Sequence, residues 1–216
     1  MTEPGPMRFL TFEGSEGAGK STQIRRLESH LLALGQPVLT VREPGGTRLG
    51  ERLRPLLKES SPDLSLCPES ELLLFLAARA QIVRETIEPA LRRGSWVLAD
   101  RFSDSTLAYQ GGGRGFPQPL LRSLNHLACG GLVPAITFVL DLSPAAGRAR
   151  IARREAEGTA ADRIEAEPPE FFERVRSVYR ELSDREPDRV VLIDADRPSD
   201  EIAAEIRETV RRVFGL

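Results

Sequence analysis

FLTFEGSEGAGKST, residues 9–22, sets an apolar run directly against the spacing G-x-x-x-x-G-K-[ST]. Gly14, Gly19, Lys20 and Ser21 fill that pattern. Small residues at this spacing let successive backbone N–H groups curl round phosphates at the start of a helix. The cradle is therefore read as Gly14, Ser15, Glu16, Gly17, Ala18, Gly19, Lys20, Ser21 and Thr22. Lys20 is expected to reach the β- and γ-phosphates of a nucleotide, and the Ser21 hydroxyl to ligate Mg2+. A glycine-rich turn that merely capped a helix would not need the lysine.

Outward from the cradle, apolar runs alternate with amphipathic stretches. Strands are expected over 7–13, 37–42, 96–100, 135–141 and 189–194. Helical patterns lie between them at about 20–34, 48–58, 68–93, 117–127, 144–157, 168–186 and 199–214. Near-continuous apolar strands separated by helices predict a parallel sheet covered on both faces. The expected fold class is a three-layer α/β/α P-loop NTPase fold with a five-stranded parallel sheet. A length of 216 residues suits one domain, and no repeat or linker divides it. Residues 1–6 read as a flexible tail.

Composition narrows the function classes. A formal net charge of −2 argues against a general nucleic-acid or membrane-surface binder. The N-terminal MTEPGPM is no signal segment, and no apolar run approaches the ~18 residues of a membrane span. A cytoplasmic protein is expected. Cys67 and Cys129 have no metal-ligand spacing and are read as free, buried thiols. His30 and His126 have no ligand spacing either.

A P-loop leaves GTPases, ATPases and kinases open. The Asn-Lys-x-Asp and Asp-x-x-Gly segments of a GTPase are missing from the chain. A kinase needs a second anion site facing the first, which directs attention to arginines at strand ends. Arg42 and Glu43 lie in VREPGGT, after the second strand, and Asp100 and Arg101 open DRFSDSTLAYQ, after the third. Two guanidinium forks converging on one crevice suit a phosphate monoester. Structural ion pairs with Glu43 and Asp100 are the alternative. Phe75 and Arg79 stand at i and i+4, so they share a helix face and suit stacking on and bonding to a flat base. Taken alone, a core phenylalanine beside a helix arginine is the stronger explanation of the pair.

The ordered set FEGSEGAGKST, REPGGT, LLLFLAARAQ and DRFSDSTLAYQGGGRG, continuing through FVLDLSP and DRIE, resembles the thymidylate kinases, the bacterial dTMP kinases. The resemblance covers nearly the whole chain. It implies phosphorylation of dTMP to dTDP with ATP and Mg2+, on the route to dTTP. Lys20, Asp100, Arg101 and Arg153 are then the implied catalytic residues, with Ser21 and Asp100 on the metal side. Glu13 would hold the dTMP sugar, and Arg42 and Arg101 its phosphate. Phe75 would stack on thymine, while Arg79, Thr106 and Gln110 contact its edge and Tyr109 lies against the sugar.

The segment GRARIARREAEGTAADRIE is read as a helical lid at about 147–165, carrying Arg150, Arg153, Arg154 and Arg163. Arg153 is the first choice for the transferring phosphoryl group. A homodimer is implied, with the apolar stretch 72–76 as a candidate face. No nucleic acid or membrane partner is expected. Phe102 stands where relatives commonly carry tyrosine or histidine, and the lid runs a few residues longer than usual. Another nucleoside-monophosphate or deoxynucleoside kinase, or a catalytically silent nucleotide-binding module, remains an open alternative at this stage. The turn at Glu43-Pro44 is a candidate for a cis bond.

Overall fold

The computed structural model describes residues 7–59, 65–156 and 162–216, except for the side chains of Arg154 and Glu155. The tail expected at 1–6 lies outside them. Five strands form one parallel sheet: β1 (Phe9–Glu13), β2 (Val38–Arg42), β3 (Trp96–Asp100), β4 (Ile136–Asp141) and β5 (Val190–Asp194). Their order is β2-β3-β1-β4-β5, with β1 in the centre. The register pairs Phe12 with Asp100 and Asp100 with Arg42, so three strands end level along one edge. The residues just beyond that edge supply the site, as carboxyl ends of parallel strands generally do.

Side chains along a strand alternate between faces, and the core divides accordingly. Leu10 and Phe12 pack beneath α1 (Lys20–Ala33) and α9 (Ser199–Phe214). Those helices present Ile24, Leu27 and Leu31, and Ile202, Ile206 and Val210, the i, i+3/i+4 stripe of a covering helix. The opposite sheet face takes Phe9 and a buried Thr11–Thr137 hydroxyl pair at 2.8 Å. It is covered by α3 (Pro68–Ile82), α6 (Gln118–Cys129) and α8 (Pro169–Arg185). Helices α2 (Arg48–Lys58) and α7 (Pro144–Ala156) complete the set near the strand ends.

Two departures from the expected pattern matter. The long helix over 68–93 is interrupted by a π turn at Val83–Ile87 before α4 (Glu88–Arg92). Pro89 follows that turn and cannot continue regular α bonding. After β3, a short α5 (Ser103–Thr106) widens into a second π turn, Leu107–Gly113. Its glycines permit close packing on α8: a Cβ at Gly113 would lie 2.3 Å from the Phe171 ring, and one at Gly112 2.8 Å from the Arg174 carbonyl. Cys129 is buried but Cys67, at the start of α3, is exposed, which corrects the expectation of two buried thiols. Among the described residues no helix is long and apolar enough to cross a membrane.

Candidate functional site

The loop after β1 is built by its glycines. Gly14 has φ +122, and a Cβ there would sit 2.4 Å from the Leu140 carbonyl oxygen. Gly19 has φ +93 and caps α1. Only glycine takes such conformations freely, so the backbone N–H groups turn inward as the sequence requires. Lys20 Nζ donates to the Gly14 and Ser15 carbonyls at 3.1 and 3.0 Å. Burial and the neighbouring Arg101 charge lower its pKa. Ser21 Oγ donates to Asp100 Oδ2 at 3.1 Å. A hydroxyl beside a carboxylate, next to a phosphate cradle, is a donor set that suits Mg2+ held through substrate phosphates and water.

A cleft of about 380 Å³ opens over this loop, and Arg42, Asp100 and Arg101 also line it. The two arginines expected to converge do line one crevice. Neither makes the alternative ion pair with Glu43 or Asp100. Arg42 is exposed and held by Glu51 at 3.0 Å. Arg101 is inside: its guanidinium bonds Glu16 at 2.6 Å, the Gly14 carbonyl at 3.2 Å and the Tyr109 hydroxyl at 3.1 Å. It also lies 4.8 Å from the Tyr109 ring centroid. Burial opposes the Arg101 charge, yet Glu16 together with Tyr109, Tyr179 and Glu13 outweighs it and its pKa is raised. Burial likewise opposes the Glu16 charge, but Arg101 and then Lys20 bring its pKa down to about 2. Arg101 is the one non-glycine residue with positive φ among those described, at +72.

Arg54 and Lys58 of α2 also line the cleft, and the sequence reading missed them. Their i, i+4 spacing on a helix leading from the Arg42 turn was the available signal. Arg54 donates to the Pro44 carbonyl at 2.6 Å, beside the Glu43–Pro44 peptide, which is cis.

Beyond the cleft is a narrow recess lined by Phe75, Arg79, Thr106, Tyr109 and Gln110, together with Glu16 and Arg101. Five of the six base- and sugar-contacting candidates therefore share one wall system. Arg79, however, is fully engaged. Nε and Nη2 bond Glu43 Oε2 at 2.9 and 2.8 Å, Nη1 bonds Thr106 and Asn125 at 2.7 and 2.8 Å, and Nη2 reaches the Phe102 carbonyl at 2.9 Å. Four of these are hydrogen bonds and the Nη2–Glu43 contact is an ion pair, so each guanidinium nitrogen already has a protein partner. Arg79 is thus a buried organiser of the recess in this conformation.

Glu13 does not reach the recess, contrary to its expected place at the sugar. Its Oε1 accepts from the Phe102 and Ser105 N–H groups at 2.8 and 3.2 Å, and Oε2 from the Ser105 and Tyr179 hydroxyls at 2.6 and 2.7 Å. It lies on the sheet face that meets α5 and α8, behind the site. Burial raises its pKa to about 7, against the opposing pull of Arg101. The carboxylates that line the recess are Glu16, paired with Arg101, and Glu43, paired with Arg79.

The four lid candidates separate. Arg150 donates to the Gly17 carbonyl of the P-loop at 3.2 Å and to the Ala195 carbonyl at 3.1 Å. Arg153 is exposed on α7, and the Arg154 side chain lies outside the described residues. Arg163 does not line the cleft and is held by the Leu57 carbonyl at 3.1 Å and Glu71 at 2.7 Å. Of the three whose side chains are described, Arg150 is the one in contact with the cradle. Among the described residues no cluster of three or more His, Cys, Asp or Glu side chains is placed to hold a metal.

Residues 12–206 match the family model described as thymidylate kinase. The thymidylate kinase of Deinococcus radiodurans is 50% identical over 198 residues, covering 92% of this chain and 93% of its own. That of Magnetococcus marinus is 50% identical, covering 96% and 97%. The crystal structure of thymidylate kinase from Ehrlichia chaffeensis superposes with a TM-score of 0.74 at 33% identity, covering 96% of this chain and 99% of its own.

Proposed function

The chain belongs to the thymidylate kinase family, and from that premise we propose that it transfers the γ-phosphoryl group of ATP to dTMP, giving dTDP and ADP. One observation carries the reading: a P-loop with Lys20 and Ser21 shares a cleft with Arg42 and Arg101, and that cleft adjoins the recess of Phe75, Thr106, Tyr109 and Gln110. We read the chain as one kinase domain with its lid at about 147–165.

The acceptor phosphate has a second pKa of about 6 and is largely a dianion at neutral pH. It needs no general base. An acceptor oxygen forms the new bond to the γ-phosphorus as the bond to ADP breaks, and the proteinʼs task is alignment and charge neutralisation. Lys20 serves the donor phosphates, Arg101 and Arg42 hold the acceptor phosphate, and Arg54 and Lys58 add positive charge at the same wall. Arg150 or Arg153 supplies the lid cation. Mg2+ fits beside Ser21 and Asp100, where bound it would neutralise donor phosphate charge. In the recess Phe75 stacks on thymine, Thr106 and Gln110 meet its edge, and Glu16 rather than Glu13 faces the sugar.

We also read the molecule as a homodimer. Leu72 and Leu76 belong to the core, so the face would be formed by exposed leucines of the adjoining α3 and α6: Leu73 at 59% exposure, Leu120 and Leu127. Incubation of the pure protein with MgATP and a panel of dTMP, dUMP, dCMP and UMP tests the activity. Preferred formation of dTDP is expected. Faster phosphorylation of dCMP or UMP, or no turnover at all, overturns the assignment.

A further inference from the structure

The Glu71 carboxylate is buried in α3, outside the residues assigned to nucleotide contact. Its Oε1 accepts from Gln110 Nε2 at 2.9 Å and Arg114 Nε at 3.1 Å. Its Oε2 accepts from Arg114 Nη2 at 2.9 Å and Arg163 Nη2 at 2.7 Å. Burial works against this charge, but the two guanidinium groups and the amide outweigh it and lower its pKa. Glu71 therefore stays ionised at neutral pH. An ionised carboxylate only accepts hydrogen bonds.

That fixes a choice which is otherwise open. A glutamine amide has an NH2 prong and a carbonyl prong, and either can face a neighbour after a flip. Against a carboxylate, only the NH2 prong is tolerated. The carbonyl Oε1 of Gln110 is then the prong left for the recess that Gln110 lines. Thr106 is set in the complementary sense. Its Oγ1 already accepts from Arg79 Nη1 at 2.7 Å, so its own O–H is the group left to donate.

The recess thus offers an acceptor from Gln110 and a donor from Thr106. A pyrimidine with a ring N–H beside a carbonyl, as in thymine, matches both. Cytosine presents a bare ring nitrogen where Gln110 offers a lone pair, and an amino group in place of the carbonyl. We propose that Glu71 is a specificity-determining positioning residue: it touches no nucleotide, but locks the Gln110 amide so that the acceptor end admits an N–H-bearing pyrimidine edge and refuses cytosine. The inference rests on the proposed function, in which Gln110 meets the base.

Replacing Glu71 with Gln keeps the shape and restores choice, because the new carboxamide can donate to a flipped Gln110. The experiment measures kcat/KM for dTMP and for dCMP in wild type and Glu71→Gln. The dTMP-to-dCMP ratio should fall at least about tenfold, the scale of one mismatched hydrogen-bond pair. Equal loss on both substrates, leaving the ratio unchanged, overturns the proposal and leaves Glu71 a purely structural residue. Failure of the wild type to phosphorylate dTMP would instead sink the functional reading. Should Glu71→Gln not fold, 15N-labelled wild type gives a second measurement. The side-chain NH2 signals missing from Gln110→Leu should hold their positions as dTMP is titrated in, because that group stays on Glu71. Large displacement of those signals, indicating that the NH2 turns to the base, overturns the proposal.

Discussion

The two ends of the cleft are made of different materials. The donor end is mostly backbone: nine consecutive residues, with positive φ at Gly14, Gly17 and Gly19, turn N–H groups inward and need few side chains beyond Lys20 and Ser21. The acceptor end is mostly side chain, drawn from β3, α3, α5 and the π turn after it. It is held by buried ion pairs, Arg79 on Glu43 and Arg101 on Glu16. A backbone cradle recognises any polyphosphate, whereas a side-chain recess recognises one base and one sugar. Breaking a buried pair strands a charge and costs far more than losing an exposed one, so the acceptor end should be the more sensitive to substitution.

Arg101→Ala provides the severest test of that contrast. It removes a charge-assisted fork from a desolvated wall, and kcat/KM for dTMP should fall by about 100-fold or more. The KM for ATP should change by no more than about threefold. Steady-state kinetics with each substrate varied checks this, and an equal rise in the KM for ATP would show the two ends are not separable. The Gly14 carbonyl contact of Arg101 is the bond through which such coupling would run.

Glu13→Gln sharpens the comparison through pH. The Glu13 carboxyl titrates near 7 in the folded chain rather than at its ordinary 4.5. A raised carboxyl binds its proton more tightly when folded, so its contribution to stability is full below pH 4.5 and is lost as pH rises to about 7. The loss amounts to as much as about 3 kcal/mol. Glutamine does not titrate, and the Ser105 and Tyr179 hydroxyls can reverse to accept from its NH2. The fall in unfolding free energy between pH 4.5 and pH 8, followed by urea denaturation, should therefore be smaller in the variant by about that amount. Parallel profiles would mean another group titrates.

Tyr109→Phe carries the smallest expected effect. The variant loses the 3.1 Å bond from Arg101 but keeps a ring beneath the guanidinium. The KM for dTMP should rise about fivefold, near 1 kcal/mol, with the preference for dUMP over UMP retained because the ring bulk remains. Loss of that preference would assign it to the hydroxyl.

The same contrast explains what the sequence disclosed. A cradle contiguous in the chain was readable from spacing and the chemistry of glycine and lysine. So was the parallel sheet, because buried strands show as apolar runs, and each expected strand is present within two residues of its expected ends. The recess was legible through resemblance, since its parts are scattered along the chain from Glu16 through Phe75 to Gln110. Glu13 was misplaced although strand alternation held the answer: residues 9, 11 and 13 share a face, and Phe9 and Thr11 point toward the helices behind the site. Arg163 was grouped with the lid cations by composition, and only the fold reveals that Glu71 captures it. Charge in a sequence says nothing of direction, and the partners here lie 92 residues apart.

The left-handed backbone of Arg101 leaves that position without a neutral exchange. Relative to alanine, glycine would relax the turn by about 1 kcal/mol but would offer Glu16 no counter-charge. Lysine would keep the charge without the fork or the backbone ease. The ion pair with Glu16 therefore outweighs the backbone strain, because stranding a buried carboxylate costs about 3–5 kcal/mol against about 1 kcal/mol regained in the turn. Stability and turnover both hold an arginine at this strained position.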